Sequence, residues 1–253
     1  MHLDCPACPG GDRDGHLYIN RDTGKFLCQK CGFRGCLRKP DASHSVVAEA
    51  QVPEPVETYP LDMECQAYLR GRGVPESAWR WYDLRAMYDR RERKRIWLPC
   101  YYGGEVIYWQ ARSLDPTHVP KYWGTGAKDR ALLNWDYLAS MVPVPEVHIC
   151  EGPFSAIAVG IDATAIYGNV PTAHQVRALA RLRPQRIYVA IEGDVPVSVA
   201  IVTHAMTGIC EDVRVVPMVG AEDPANLPPG EYARRAADAE PASFASVVKR
   251  LLG

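Results

Sequence analysis

Five of the nine cysteines fall within residues 1–39, and four of those five make two Cys-x-x-Cys pairs, Cys5-Pro6-Ala7-Cys8 and Cys28-Gln29-Lys30-Cys31. Two thiolates at this spacing turn inward on one tight knuckle, and two knuckles supply the tetrahedral sulfur set that zinc prefers. The segment around them is rich in Gly and Asp and has little apolar periodicity. A stretch this short with no core folds only when something else holds it, and a bound metal does so. His16–Asn20 and Lys25–Cys28 read as a hairpin between the knuckles. The expectation is a zinc ribbon ligated by Cys5, Cys8, Cys28 and Cys31, with His2 and Cys36 as bystanders; a redox pair is the competing reading. Lys25, Lys30, Arg34, Arg38 and Lys39, interleaved with Tyr18, Phe26 and Phe33, read either as a solvated surface or as a reader of single-stranded nucleic acid, because bases stack on aromatics while cations meet phosphates. Lys30 and Arg34 are candidate contacts of that kind.

The remaining 214 residues have ample apolar content for a packed core, the whole chain being 47% hydrophobic. No run approaches the roughly 18–20 apolar residues that a membrane helix needs, and Met1-His2-Leu3-Asp4-Cys5 lacks the basic start and apolar stretch of a secretory signal. A soluble, cytoplasmic protein in a reducing compartment is expected, with no membrane partner. Cys65, Cys100, Cys150 and Cys210 sit singly in apolar or helical contexts and read as core residues. Residues 40–58 contain no Lys or Arg and are rich in Pro, Ala and Glu, which is linker chemistry.

A helical pattern starts at Leu61 and is stopped by Gly71-Arg72-Gly73-Val74-Pro75, before a second helix at Glu76–Trp81. Ile96–Pro99, Gly103-Gly104 and Val106–Ala111 read as strand, turn and strand. From Val147 strands alternate with helices. The strands are Val147–Cys150, Ala163–Tyr167, Ile187–Ile191 and Val213–Pro217; the helices are Phe154–Gly160, Thr172–Leu182, Val197–Cys210 and Tyr232–Ala239. This rhythm predicts an α/β fold with a mainly parallel sheet flanked by helices.

Acidic groups recur just past these strands: Glu151-Gly152, Glu192-Gly193-Asp194 and Glu222-Asp223-Pro224. Ligands of open parallel sheets bind at the carboxyl ends of the strands, so the acids are placed to converge. Clustered carboxylates suit Mg²⁺ or Mn²⁺, which take hard oxygen ligands and bridge to phosphates. Any one of these acids alone would read as a helix cap or a solvated turn.

In this order, Cys-Pro-x-Cys, Cys-x-x-Cys-Gly, Val-His-Ile-Cys-Glu-Gly (147–152), Ala-Ile-Glu-Gly-Asp (190–194) and Glu-Asp-Pro-Ala-Asn (222–226) resemble bacterial and phage DNA primases, which join a zinc ribbon to a TOPRIM-type RNA polymerase domain. Tyr68-Leu69-x-x-Arg72-Gly73-Val74, Ile96-x-Leu98-Pro99, Gln110-Ala111-Arg112 and Pro120-Lys121-Tyr122 look like the N-terminal subdomain of that polymerase domain, and Tyr167-Gly168-Asn169 is similar to its Leu-Gly-Thr turn. The resemblance spans roughly residues 5–227. It implies a ribbon at 1–39, a flexible linker at 40–58, a mixed α+β subdomain at 59–140, a TOPRIM subdomain at 141–227 and C-terminal helices at 228–253. It further implies synthesis of short RNA primers from nucleoside triphosphates on a single-stranded DNA template, with a replicative helicase acting in trans. Carried over by position, Glu151, Glu192, Asp194 and Asp223 would hold Mg²⁺ or Mn²⁺. Arg112 and Lys121, with Lys128 beside them, would face phosphates or template. Glu192 stands where the family has Asp, Val195-Pro196 replaces a small Ala-Gly step, and Asn226 stands where a further acid is common. Two alternatives remain open: a non-catalytic single-stranded-DNA binder with this architecture, or another TOPRIM protein such as a RecR-like mediator or a nuclease.

The chain's net charge of −1 is divided: residues 1–130 carry 20 Lys+Arg against 17 Asp+Glu, and residues 131–253 carry 9 against 13. A basic half and an acidic, metal-holding half are thereby predicted. The run Arg90-Arg91-Glu92-Arg93-Lys94-Arg95 reads most simply as a solvated turn, and it is also where a template backbone would be met. Residues Ser243–Leu252 are expected to form an apolar-faced helix suited to docking or to packing on the protein's own sheet.

Overall fold

The computed structural model describes residues 2–3, 8, 17–19, 25–28, 30–31, 34–36, 53–192, 196–220 and 222–242. Residues 49–243 form one compact unit, and the cysteine-rich N-terminal segment belongs to another. In the N-terminal unit four short strands, β1 (His2–Leu3), β2 (Leu17–Ile19), β3 (Lys25–Cys28) and β4 (Arg34–Cys36), pair antiparallel in sequence order. Leu17, Cys8 and Cys28 are its buried described side chains. The helix expected at Ser243–Leu252 lies outside the described residues.

The larger unit opens with α1 (Met63–Gly71), whose N-cap Asp62 accepts from the Cys65 amide at 3.0 Å and which buries Cys65 and Leu69. After α2 (Glu76–Trp81) a meander follows, β5 (Arg85–Tyr88), β6 (Lys94–Tyr102), β7 (Glu105–Ser113) and β8 (Tyr122–Gly126). Gly103 and Gly104 join β6 to β7 with φ of +62° and +82°, the two left-handed positions that a tight primed hairpin turn demands. Pro99 lies two residues beyond the stretch of β6 paired with β5, whose first residue Arg85 sits opposite Trp97, so on that side no ladder hydrogen bond is lost to it.

This meander is buried on both faces. Ile96, Leu98 and Cys100 point into a core shared with α1 and α2, while Trp97, Trp109, Met87 and Ala111 form a second cluster with Val56 and Trp123. Trp109 packs edge-on to Trp123 with ring centroids 5.1 Å apart and donates its indole N–H to the Glu54 carbonyl at 3.0 Å. Residues 53–58, which composition assigns to the linker, therefore cover the second face of the sheet. The basic run is a solvated turn only in its first half, residues 90–92. Arg90 and Arg91 are exposed, but Arg95 is wholly buried against Asp89 (2.9 Å), Arg93 pairs with the same carboxylate (2.7 Å), and Lys94 bridges Asp62 and Glu64 at 2.6 Å each.

Beyond α3 (Trp135–Ser140) the chain alternates: β9 (Glu146–Cys150), α4 (Pro153–Val159), β10 (Ala163–Ala165), α5 (Ala173–Arg181), β11 (Arg186–Ala190), α6 (Pro196–Thr207) and β12 (Asp212–Val215), then a 3-10 turn (Pro224–Asn226) and α7 (Glu231–Ala237). The four strands are parallel in the order β10-β9-β11-β12. Their pleat splits the side chains between two cores. Val147, Ile149, Ile187, Val189, Val213 and Val215 pack with residues of α3, α5 and α6, whereas Cys150, Tyr188, Ala190 and Val216 pack with α4, α7 and the meander. Thr172 and Gln175 close a capping box at the start of α5. This is the expected TOPRIM-type sheet, preceded by a mixed α+β subdomain. Among the described residues no helix is long and apolar enough to cross a membrane.

Candidate functional site

The parallel strands all deliver their carboxyl ends to one edge of the sheet. Glu151 follows β9 directly and Glu192 lies two residues past β11, both partly exposed. Asp223 arrives differently from expectation: β12 ends at Val215, and the intervening loop carries Asp223 to the 3-10 turn. There one carboxylate oxygen accepts from the Ala225 amide at 2.7 Å and the other from the Ser155 hydroxyl of α4 at 2.7 Å. The acid of the third motif is thus tied to the helix that follows the first. After burial, the charge of Asp223 is the next cause raising the Cys150 thiol, which places Asp223 beside the end of β9. Asp194 lies outside the described residues.

Cations from the meander meet this edge. Arg112 is buried on β7, donates from Nε to the Tyr68 hydroxyl at 2.9 Å and sets its guanidinium 5.0 Å from the centre of the Tyr122 ring. Lys121 sits just ahead of β8. Its ammonium is held below the ordinary lysine value by desolvation and by the Arg112 and Arg72 guanidiniums, against the opposing pull of Glu192 and Asp223. Those five groups are therefore electrostatic neighbours. Arg72 was absent from the candidates drawn from sequence. It caps α1, its guanidinium lies 4.8 Å from the centre of the Phe154 ring on α4, and its buried Nε has no hydrogen-bond partner among the described residues. Its position in the Arg-Gly step that ends α1 was the available signal.

Lys128 is exposed and lines a cleft of about 430 Å³ with Tyr108, Gln110, Tyr122, Trp123 and Thr125. The cleft shares Tyr122 with the Arg112 contact. Gly124 is required there by close strand approach, since a Cβ would lie 2.4 Å from the Trp109 carbonyl oxygen.

Glu222, next to Asp223, is already engaged. Its carboxylate pairs with Arg235 at 2.6 Å and accepts from the Val219 amide at 2.8 Å, which together hold it below the usual carboxylate range. Glu151, Glu192 and Asp223 stand at this edge without their oxygens closing to within 4.8 Å of one another as a set; carboxylate oxygens are the donors that Mg²⁺ or Mn²⁺ takes, and each Asp223 oxygen spends one hydrogen bond and keeps further lone-pair capacity.

In the N-terminal unit the sulfurs of Cys8, Cys28 and Cys31 all lie within 4.8 Å of one another, and Cys8 and Cys28 are 3.6 Å apart. Sulfurs bound at about 2.3 Å to a tetrahedral zinc stand roughly 3.8 Å from each other, so the cluster fits that ion. Cys5 lies outside the described residues. Lys30 is exposed beside Cys31, and Arg34 begins β4.

No family model and no curated protein matches the sequence. Solved structures do match in fold. A DnaG primase catalytic domain bound to single-stranded DNA is 19% identical with a TM-score of 0.57, the match covering 71% of this chain and 74% of that one. The zinc-binding and RNA polymerase domains of the Aquifex aeolicus primase are 15% identical with a TM-score of 0.57, over 95% of this chain and 79% of that one. The RNA polymerase domain of the Mycobacterium tuberculosis primase DnaG is 18% identical with a TM-score of 0.55, over 71% and 78%. The fold of this chain is that of these primase domains.

Proposed function

We propose that the chain is a DNA primase, a template-directed RNA polymerase that makes short RNA primers on single-stranded DNA. The observation that carries the reading is the grouping of Arg72, Arg112 and Lys121 opposite Glu192 and Asp223, at the carboxyl edge of a sheet with a primase fold. A lysine whose charge is disfavoured by burial and by two neighbouring guanidiniums is poised for a polyanion, and a nucleoside triphosphate is the polyanion this chemistry consumes. Glu151, Glu192, Asp194 and Asp223 would hold Mg²⁺ or Mn²⁺, which when bound neutralises phosphate charge and activates the attacking hydroxyl. Arg112 and Lys121 orient the triphosphate, with Arg112 itself fixed by Tyr68. The primer 3′ oxygen attacks the α-phosphorus in line, the bond to the bridging oxygen breaks, and pyrophosphate leaves across the cationic group. The cleft beside Lys128, with Tyr122 and Trp123 in its wall, is suited to template bases and their phosphates. Lys30 and Arg34 would serve the ribbon, held by zinc on Cys5, Cys8, Cys28 and Cys31, in reading single-stranded DNA. A replicative helicase is the partner expected in trans.

The test is incubation of the full chain with varied single-stranded templates, labelled ribonucleotides and Mg²⁺ or Mn²⁺. Short RNA products are expected. Lys121→Ala should lower their rate by about 10²–10³-fold, the usual cost of losing a group that stabilises transition-state charge, and Asp223→Ala should reduce it at least as far. Template binding without synthesis on any template would replace the polymerase by a non-catalytic binder, and template cleavage would make it a nuclease.

A further inference from the structure

The loop between β12 and the 3-10 turn carries Asp223 to the site, and one side chain of α7 holds both ends of that loop. Arg235 donates to the Pro217 carbonyl at 2.9 Å and to the Glu222 carboxylate at 2.6 and 3.3 Å. Its Nε donates to Glu231 at 2.7 Å, which fixes the plane of the guanidinium. The loop is closed again on itself, since Glu222 also accepts from the Val219 amide and donates its own N–H to the Val219 carbonyl. α7 is in turn anchored to the sheet: Tyr232 meets His148 of β9 at 2.7 Å, and Arg214 of β12 donates to the Ala239 carbonyl at 2.9 Å. None of these contacts is made to Glu151, Glu192 or Asp223, yet together they determine where the residue after Glu222 stands.

We propose that Arg235 is a positioning residue for the metal-binding edge: by clasping Pro217 and Glu222 it fixes the backbone from which Asp223 presents its carboxylate. The inference rests on the reading of Asp223 as a metal ligand. A bidentate guanidinium gives an orienting contact that an ammonium reproduces only in part, and outer groups that orient metal ligands typically set affinity by 10–100-fold.

The experiment measures Mn²⁺ binding to the full chain, without template or nucleotide, by the electron paramagnetic resonance signal of free Mn²⁺. Arg235→Gln is expected to weaken binding roughly 10–100-fold, Arg235→Lys to restore part of it, and Glu222→Gln to weaken it in the same sense, with thermal melting of all three near that of the parent. Loss of binding in Asp223→Ala combined with unchanged affinity in both Arg235→Gln and Glu222→Gln would overturn the clasp alone. Unchanged affinity in Asp223→Ala would overturn the metal reading and the clasp with it. Should Arg235→Gln fail to fold, Glu222→Gln decides, because it opens the same contact from a partly exposed side chain.

Discussion

Asp89 shows how much one buried acid does for this chain. Burial pushes its carboxyl upward, but charged hydrogen bonds from Arg93 and Arg95 and the amides of Arg91 and Arg93 outweigh it, leaving the group well below the usual carboxylate range. Arg95 is wholly buried, so removing its partner strands a charge. Asp89→Ala is expected to cost about 3–5 kcal/mol in urea unfolding at neutral pH. A depressed folded value stabilises above the unfolded value, near 3.9, and that stability is lost as pH falls through the folded one. The deficit of Asp89→Ala should therefore be flat from pH 8 to about 5 and narrow only below about 4. The same network explains why the sequence reading of Arg90–Arg95 as a solvated turn holds for residues 90–92 and fails for Arg93–Arg95: charge density says nothing of which cations face acids brought in from α1 or from the β5–β6 turn.

Among elements, α7 is held by a neutral histidine. Burial, against the opposing pull of Glu146, holds the His148 imidazole below its ordinary value, while the ring stacks on Tyr188 and meets the Tyr232 hydroxyl. Stability from such a group is complete above the unfolded value, near 6.5, and is lost as pH falls below it. Unfolding measured at pH 7.5 and 5.5 should show the parent weakening more than His148→Gln between the two. Element types were largely legible from period and punctuation: the glycine pair of the β6–β7 hairpin and the strand–helix alternation after Val147 announced themselves. The covering segment at 53–58 did not, because a Pro- and Glu-rich stretch has no periodicity and is held by scattered contacts of Val56, the Glu54 carbonyl and the Thr58 hydroxyl.

For the whole molecule, the proposal that zinc holds the N-terminal unit while a packed core holds the larger one has a direct test. Chelation by a high-affinity zinc ligand should release one zinc per chain by elemental analysis and unfold the N-terminal unit, while the melting transition of the larger unit stays within a few degrees of its starting value. The local spacing that defines the cysteine quartet and the acidic motifs was readable because each lies within a few consecutive residues. Arg72 was not, since 40 residues separate it from Arg112 and only the packing of α1 against α4 and the meander brings them to one edge. Nor could sequence show that Glu222 is spent on Arg235 while its neighbour Asp223 faces the site. The edge-on pair of Trp109 and Trp123 has a consequence of an optical kind. Of six tryptophans, Trp123 is the one in the wall of the cleft beside Lys128, and its indole touches that of Trp109 inside the second cluster. A base stacked on Trp123 would quench its emission and perturb the coupled band of its neighbour, so the protein carries a built-in fluorophore that reports cleft occupancy with no label attached.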